Sequence, residues 1–90
     1  MTSTVYITFT VPEGVDFNKR IHDTLDAIDD SRFLSEDTST WYAYIDLYYA
    51  DENKRTATIK AISAPKNIGY IIVKLLDVNK NIAVEVRKGE

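Results

Sequence analysis

Alternation of apolar and polar side chains constrains this chain most, because a period of two puts the apolar set on one face of a β-strand. In residues 4–11 the apolar set is Val5, Ile7, Phe9 and Val11, and the other set is Thr4, Tyr6, Thr8 and Thr10. Residues 41–49, 56–62 and 82–87 alternate in the same way. The sequence therefore predicts four half-buried strands.

The two middle segments predict a hairpin, because the polar turn 51–54 separates them. Within 41–49 the alternation assigns one face to Trp41, Ala43, Ile45, Leu47 and Tyr49, and the other to Tyr42, Tyr44, Asp46 and Tyr48. In 56–62 Ala57, Ile59 and Ala61 oppose Thr56, Thr58 and Lys60, and in 82–87 Ile82, Val84 and Val86 point inward. Residues 31–40, with Phe33 and Leu34, are interpreted as a connection.

Two segments carry apolar residues at spacings of three and four, which is typical of an amphipathic helix. The first stripe, over residues 17–30, is Phe17, Ile21, Thr24, Leu25 and Ile28, and the second is Ile68, Ile71, Ile72, Leu75 and Leu76. Asp16 is expected to cap the first helix, and Ser63 with Pro65 to begin the second. A strand over 70–77, with a turn at 79–81, is the alternative for the second stripe, because Tyr, Ile and Val favour strands. Alternation is poor over 70–77, so the spacing favours a helix.

The resulting order is strand, helix, strand, strand, helix, strand, which is the split βαβ pattern of the α+β ferredoxin-like fold. Right-handed crossovers put both helices on one face of a four-stranded antiparallel sheet with strand order 4-1-3-2. The opposite face stays open. With 90 residues, the chain is expected to form a single domain over 1–90.

Composition excludes several classes of function. The chain has no cysteine, which removes disulfides, thiolate metal sites and cysteine nucleophiles. The longest apolar run, 70–73, is too short to span a bilayer, and we expect a soluble, cytoplasmic monomer that needs no partner. A net charge of −3 makes nucleic acid an unexpected partner. Self-association through an edge strand is the alternative to a monomer.

The open face is where a function could lie, because it carries exposed tyrosines and basic residues. At Val5, Tyr6 and Ile7 the chain resembles an RNA recognition motif, whose first strand reads apolar, aromatic, apolar. That resemblance implies single-stranded RNA binding, with Tyr6 stacking on a base. The implied contact residues are Tyr6, Tyr42, Tyr44, Tyr48, Lys60 and Arg87. Residues 54–60, which correspond to the family's third-strand motif, depart from the family because they lack its stacking aromatics.

No catalytic, metal or cofactor motif is present in the sequence. His22 stands four residues before Asp26, as a base and its orienting carboxylate could, but an exposed helix histidine is the simpler interpretation. Acidic residues that could together hold a hard cation follow along the first helix and after it, but their spacing matches no calcium loop: Asp23, Asp26, Asp29, Asp30, Glu36 and Asp37. The glycines at 14, 69 and 89 are too scattered to cradle a phosphate. We expect no enzymatic activity, no cofactor and no metal.

Two features of composition suggest a designed or redesigned protein. Methionine occurs only at position 1 and cysteine is absent, and both residue types are avoided in deliberate core design. Local propensities, caps and turns also agree with one topology. The leading hypothesis is a stable scaffold without evolved activity. RNA binding through the open face and protein interaction through the edge of the second strand are the alternatives.

Overall fold

The computed structural model describes residues 2–30 and 43–89. Its elements are β1 (Ser3–Thr10), α1 (Phe17–Asp30), β2 (Ala43–Asp51), β3 (Thr56–Ser63), α2 (Pro65–Val78) and β4 (Val84–Lys88). This order confirms the predicted βαββαβ arrangement. The predicted connection at 31–40, with Trp41 and Tyr42 after it, lies outside the described residues.

The strands form one antiparallel sheet in the order β2-β3-β1-β4, which confirms the predicted 4-1-3-2 arrangement. In the centre of the sheet Ile7 lies opposite Ile59 on one side and Val86 on the other. Directly opposed residues of an antiparallel pair point to the same face. This register therefore gathers the apolar sets of three strands on one face.

Both helices pack on that apolar face, and the core lies between them and the sheet. The core residues are Val5, Ile7, Phe9, Val11, Phe17, Ile21, Ile28, Ala57, Ile59, Ala61, Ile68, Ile71 and Leu75. Six of these core residues belong to the two predicted helical stripes, namely Phe17, Ile21 and Ile28 of α1 and Ile68, Ile71 and Leu75 of α2. Burial of this set, at about 25 cal/mol per Å² of apolar surface, provides the main stabilisation of the fold.

The connection between β1 and α1 is a tight turn followed by a capped helix. Gly14 has φ 85°, and the amide of Val15 donates to the carbonyl of Pro12 at 3.2 Å. A residue with a Cβ is strained at that φ, so the turn requires glycine there. Asp16 then caps α1 as predicted, because its Oδ1 accepts a hydrogen bond from the amide of Lys19 at 2.8 Å.

The second predicted helix is confirmed, and the alternative strand over 70–77 is wrong. The helix α2 begins at Pro65, in the first turn, where the missing amide of proline has no helical partner. The predicted cap at Ser63 is also wrong, because the cap position is Ala64 and Ser63 is the last residue of β3. Ser63 is buried, and its Oγ accepts a hydrogen bond from Nδ2 of Asn67 at 3.1 Å.

The last strand is displaced from the predicted 82–87. It begins at Val84 and ends at Lys88, so Ile82 lies in the connection before it. Asn81 has φ 64°, a left-handed conformation that interrupts an extended chain. No helix in the described part of the chain is long and apolar enough to cross a membrane.

Candidate functional site: the open face of the sheet

The open face of the sheet is built from the polar sets of the strands. In the central ladder Tyr6 lies directly opposite Lys60 of β3 and Arg87 of β4. One position further along, on the same face, Thr8 lies opposite Thr58 and Glu85. The alternation of β1 therefore brings Tyr6, Lys60 and Arg87 together, as the sequence predicted.

Tyr6 is the centre of this face, because three side chains surround its ring. The guanidinium carbon of Arg87 lies 4.8 Å from the ring centroid, and Nζ of Lys60 lies 5.9 Å from it. The ring of Tyr48 meets that of Tyr6 edge to face, with centroids 4.9 Å apart. Cations over an aromatic face and edge-to-face pairs are both attractive, each by roughly 0.5–1.5 kcal/mol. We call these four residues the Tyr6 cluster.

Gly89 allows the Tyr6 ring to take this position. A Cβ added at Gly89 would lie 2.7 Å from Cε2 of Tyr6 and 3.0 Å from Cγ2 of Thr4. The amide of Gly89 also donates to the carbonyl of Thr4 at 2.7 Å, which holds the backbone against β1. Any larger residue at position 89 would push the ring aside. No sequence pattern singles out this glycine, because its close approach to Tyr6 comes from strand pairing and not from spacing along the chain.

Polar side chains on the rest of the face make hydrogen bonds with one another. The hydroxyl groups of Thr8 and Thr58 share a hydrogen bond of 2.8 Å across the strands. The hydroxyl of Tyr44 donates to Oδ2 of Asp46 at 3.3 Å. Cross-strand and same-face pairs of this kind are the usual stabilising contacts of a solvent-facing sheet.

A bulge in β2 changes the predicted orientation of Tyr49. Leu47 pairs with Ile59, but Tyr49 pairs with Thr58, so one extra residue stands between the two pairs. Because Thr58 belongs to the open face, Tyr49 lies there too and is 59% exposed. The prediction that Tyr49 shares the apolar face with Ile45 is therefore wrong. An extra residue reverses every side chain beyond it, and alternation alone does not reveal a bulge.

The predicted contact residues are only partly brought together. Four of them, Tyr6, Tyr48, Lys60 and Arg87, form the Tyr6 cluster. Tyr44 is exposed and lies opposite Ile62, away from the opposed pair of Tyr6 and Lys60. Tyr42 lies outside the described residues. The positions of β3 that face this side carry no aromatic residue.

A shallow, open pocket of about 360 Å³ adjoins the Tyr6 cluster. Its lining is Tyr6, Tyr48, Arg87, Lys88 and Gly89. The sequence did not point to Lys88, because strand four was predicted to end one residue earlier. The pocket is positively charged although the whole chain has a net charge of −3.

Among the described side chains, neither the His22–Asp26 pair nor the acidic residues of α1 form a site inside a pocket. Nδ1 of His22 lies 3.2 Å from Oδ2 of Asp26, but both side chains are mostly exposed on the helix surface. Lys19 donates to Asp23 at 2.8 Å, and this hydrogen bond lowers the pKa of the Asp23 carboxyl and raises the pKa of Lys19. In the described part of the chain no group of three or more His, Asp or Glu side chains is placed to hold a metal ion. These contacts fit a solvated helix face with pairs four residues apart.

Comparison with known proteins identifies the fold. No family model and no curated protein matches the sequence. Among solved structures, protein YJCS is similar over 100% of this chain and 98% of its own, with a TM-score of 0.68 and 11% identity. The de novo designed protein LFR1 1, with a ferredoxin fold, has a TM-score of 0.66 and 14% identity over 100% of this chain and 86% of its own.

A second designed protein, Ferredog-Diesel, is similar over 100% of this chain and 85% of its own, with a TM-score of 0.59 and 12% identity. At such identities the similarity establishes the fold and nothing about activity. The chain therefore has the ferredoxin-like fold.

Proposed function

We propose that this chain is a stable structural scaffold without evolved biochemical activity, designed or redesigned to adopt the ferredoxin-like fold. On this proposal it is not an enzyme, and it requires no cofactor, metal or partner. Its open face serves to stabilise the sheet.

The observation that carries the proposal is the environment of Tyr6. A base could stack on this ring only where the ring is free, yet Arg87 lies 4.8 Å from its centroid and Tyr48 meets it edge to face. A ligand would have to displace these contacts before stacking. The arrangement supports a packing role for Tyr6.

Three further features support a designed origin. LFR1 1 and Ferredog-Diesel, both designed, are similar to the whole of this chain. Cysteine is absent and methionine occurs only at position 1, as a designer would choose. Exposed strand positions such as Thr8 and Thr58 also carry residues of high β-propensity.

The proposal is tested by titrating labelled single-stranded RNA at low salt, where phosphate contacts are strongest. We expect no saturable, salt-dependent binding up to roughly 500 μM protein, because the acidic chain repels the phosphate backbone. Binding that falls with salt, and that Tyr6→Ala weakens while Tyr70→Ala does not, would contradict it. Tyr70 is the matched control, since it lies on α2, behind the sheet.

The second candidate is a single-stranded RNA-binding module of the RNA recognition motif type. It is favoured by the position of Lys60 and Arg87 beside Tyr6, at a pocket of about 360 Å³. Stacking contributes roughly 1–3 kcal/mol per base, so the titration above would detect such a module. A third candidate is protein interaction through the edge of β2, where Tyr44 and Tyr48 are exposed.

A further inference from the structure

The edge of the sheet formed by β4 has backbone groups available for pairing. Among the described residues, β4 pairs only with β1, with Tyr6 opposite Arg87. The amide of Gly89 donates to the carbonyl of Thr4, so Gly89 is one of the residues whose backbone faces β1. Backbone groups of successive residues in an antiparallel strand point to alternate sides. The backbone N–H and C=O groups of Val84, Val86 and Lys88 therefore face away from β1.

An apolar strip runs beside this edge on the helix-bearing face. Val86 is 44% exposed although it lies opposite the buried Ile7. A groove of about 370 Å³ adjoins it, lined by Ser3, Val5, Pro65, Ile68, Val86 and Lys88. An exposed strand edge with an apolar strip beside it favours pairing with another strand.

The charges of β4 specify which strand fits this edge. Glu85 and Arg87 flank Val86 on the open face. If a second copy of β4 pairs antiparallel with Val86 opposite Val86, each Glu85 lies opposite an Arg87. A shift to Val84 opposite Val86 would put Glu85 against Glu85, and a shift to Val86 opposite Lys88 would put Arg87 against Arg87. Opposite charges across a strand pair attract and like charges repel, so the edge is complementary to itself in one register.

We propose that the β4 edge pairs with the β4 edge of a second copy of this chain, about a two-fold axis at Val86. The pairing makes one continuous eight-stranded sheet, with the outward backbone groups of Val84, Val86 and Lys88 hydrogen-bonded across the axis. The exposed Val86 side chains meet beside the two apolar grooves. Lys88 lies opposite Val84 of the second copy, with its aliphatic stem over the strip and its ammonium group in water.

The edge of β2 is less suited to such pairing. The bulge between Leu47 and Tyr49 interrupts its ladder and increases its twist. Bulges of this kind are one way in which proteins keep an edge strand from associating. The short, regular β4 is therefore the edge that we assign to association.

Charge reversal tests the proposed register by sedimentation equilibrium between about 10 μM and 1 mM, the range expected of a small interface. We expect a monomer–dimer equilibrium that Glu85→Arg weakens about tenfold or more, because two pairs of arginines then face each other across the axis. The double variant Glu85→Arg/Arg87→Glu restores opposite charges and, although it loses the Arg87 contact with Tyr6 and is expected to unfold at lower urea, its folded form is expected to dimerise within about threefold of the original chain. Glu52→Arg, the same change of charge on the exposed hairpin turn, should leave the dissociation constant unchanged.

A cysteine at the axis tests the same pairing independently of charge. The chain has no cysteine, so any disulfide between protein thiols that Val86→Cys forms must join two chains. Hydrogen-bonded antiparallel partners have Cα atoms about 5.5 Å apart, which a disulfide can bridge. With oxidised glutathione, Val86→Cys is expected to cross-link at least about tenfold faster than Val73→Cys, whose position is also exposed but lies on α2.

Three outcomes would overturn the proposal. The first is a monomer at every concentration up to about 1 mM. This result overturns the proposal even if the β4 edge binds an extended peptide of another sequence. The second is a dimer that Glu85→Arg and Glu52→Arg weaken equally. The third is equal cross-linking at positions 86 and 73.

Discussion

The side chain of Arg55 links the β2–β3 hairpin to the connection between β1 and α1 by hydrogen bonds. Its backbone is left-handed, with φ 54°, which costs a residue with a Cβ roughly 1–2 kcal/mol. Its Nε donates to the carbonyl of Val11 at 3.0 Å, and its Nη2 donates to the carbonyls of Pro12, at 2.9 Å, and Val15. The guanidinium carbon also lies 5.8 Å from the centroid of the Phe17 ring. These contacts offset the cost of the backbone conformation.

Arg55→Asn is expected to lower the free energy of unfolding by about 2 kcal/mol. Asparagine tolerates the left-handed region, so the change removes the side-chain contacts and leaves the backbone preference largely intact. The measurement is urea unfolding followed by circular dichroism. Lys54→Asn, the same change at the exposed neighbouring residue, is the control and should stay within about 0.5 kcal/mol. Equal effects of the two substitutions would show that the Arg55 contacts do not stabilise the fold.

The sequence predicts some of these residues and misses others for a physical reason. Tyr6, Lys60 and Arg87 could be grouped in advance, because alternation and strand order determine their common face. Arg55 could not be singled out, since its acceptors are backbone carbonyls some 40 residues away in sequence, and carbonyls leave no pattern in a sequence. Tyr49 was misassigned because the bulge follows from the pairing with β3.

The two helices are joined by a buried polar contact at the end of α2. Asn79 is fully buried, and its Nδ2 donates to Oγ1 of Thr24 on α1 at 3.1 Å and to the carbonyl of Leu75 at 2.9 Å. The hydroxyl of Thr24 in turn donates to the carbonyl of Arg20 at 2.8 Å. Buried polar groups must be paired, so this network fixes how the helices lie against each other.

A double-mutant cycle measures the coupling between Thr24 and Asn79. We expect Asn79→Ala to lower the free energy of unfolding by about 2–3 kcal/mol and Thr24→Val by about 1 kcal/mol. The double variant should lose about 1 kcal/mol less than the sum, because one substitution already breaks the shared hydrogen bond. The control cycle pairs Thr24→Val with Asn67→Ala, at the other end of α2, and should be additive within about 0.5 kcal/mol. Additivity in both cycles would contradict the network.

At the scale of elements, the sequence predicted type and order but not every boundary. The spacing of Ile68, Ile71 and Leu75 correctly identified α2 as a helix, because burial of a stripe outweighs the strand propensity of isoleucine and valine. The start of α2 was misplaced, since Ser63 is held in β3 by pairing with Ser3. The start of α2 is set by the pairing of β3 with β1, and a local sequence pattern does not contain that pairing.

At the scale of the whole molecule, the centre of the open face, around the Tyr6 ring, is covered by neighbouring side chains of the same face. The ring of Tyr6 contacts residues of three other strands, whereas Tyr49, on the same face, is 59% exposed. A binding face carries its key aromatic residues for a ligand, and their removal leaves the fold largely unaffected. A scaffold face stabilises the sheet, and the removal of its central aromatic residue is costly. These two accounts differ in a measurable quantity.

The central claim is that the Tyr6 cluster stabilises the fold, and its most direct test is the free energy of unfolding of Tyr6→Ala against that of Tyr49→Ala. We expect Tyr6→Ala to lose about 2 kcal/mol, through the lost aromatic pair and cation contacts, and Tyr49→Ala about 0.5 kcal/mol. Both follow from urea unfolding under the same conditions. Equal losses, or a Tyr6→Ala variant as stable as the original chain, would contradict the structural role assigned to this face.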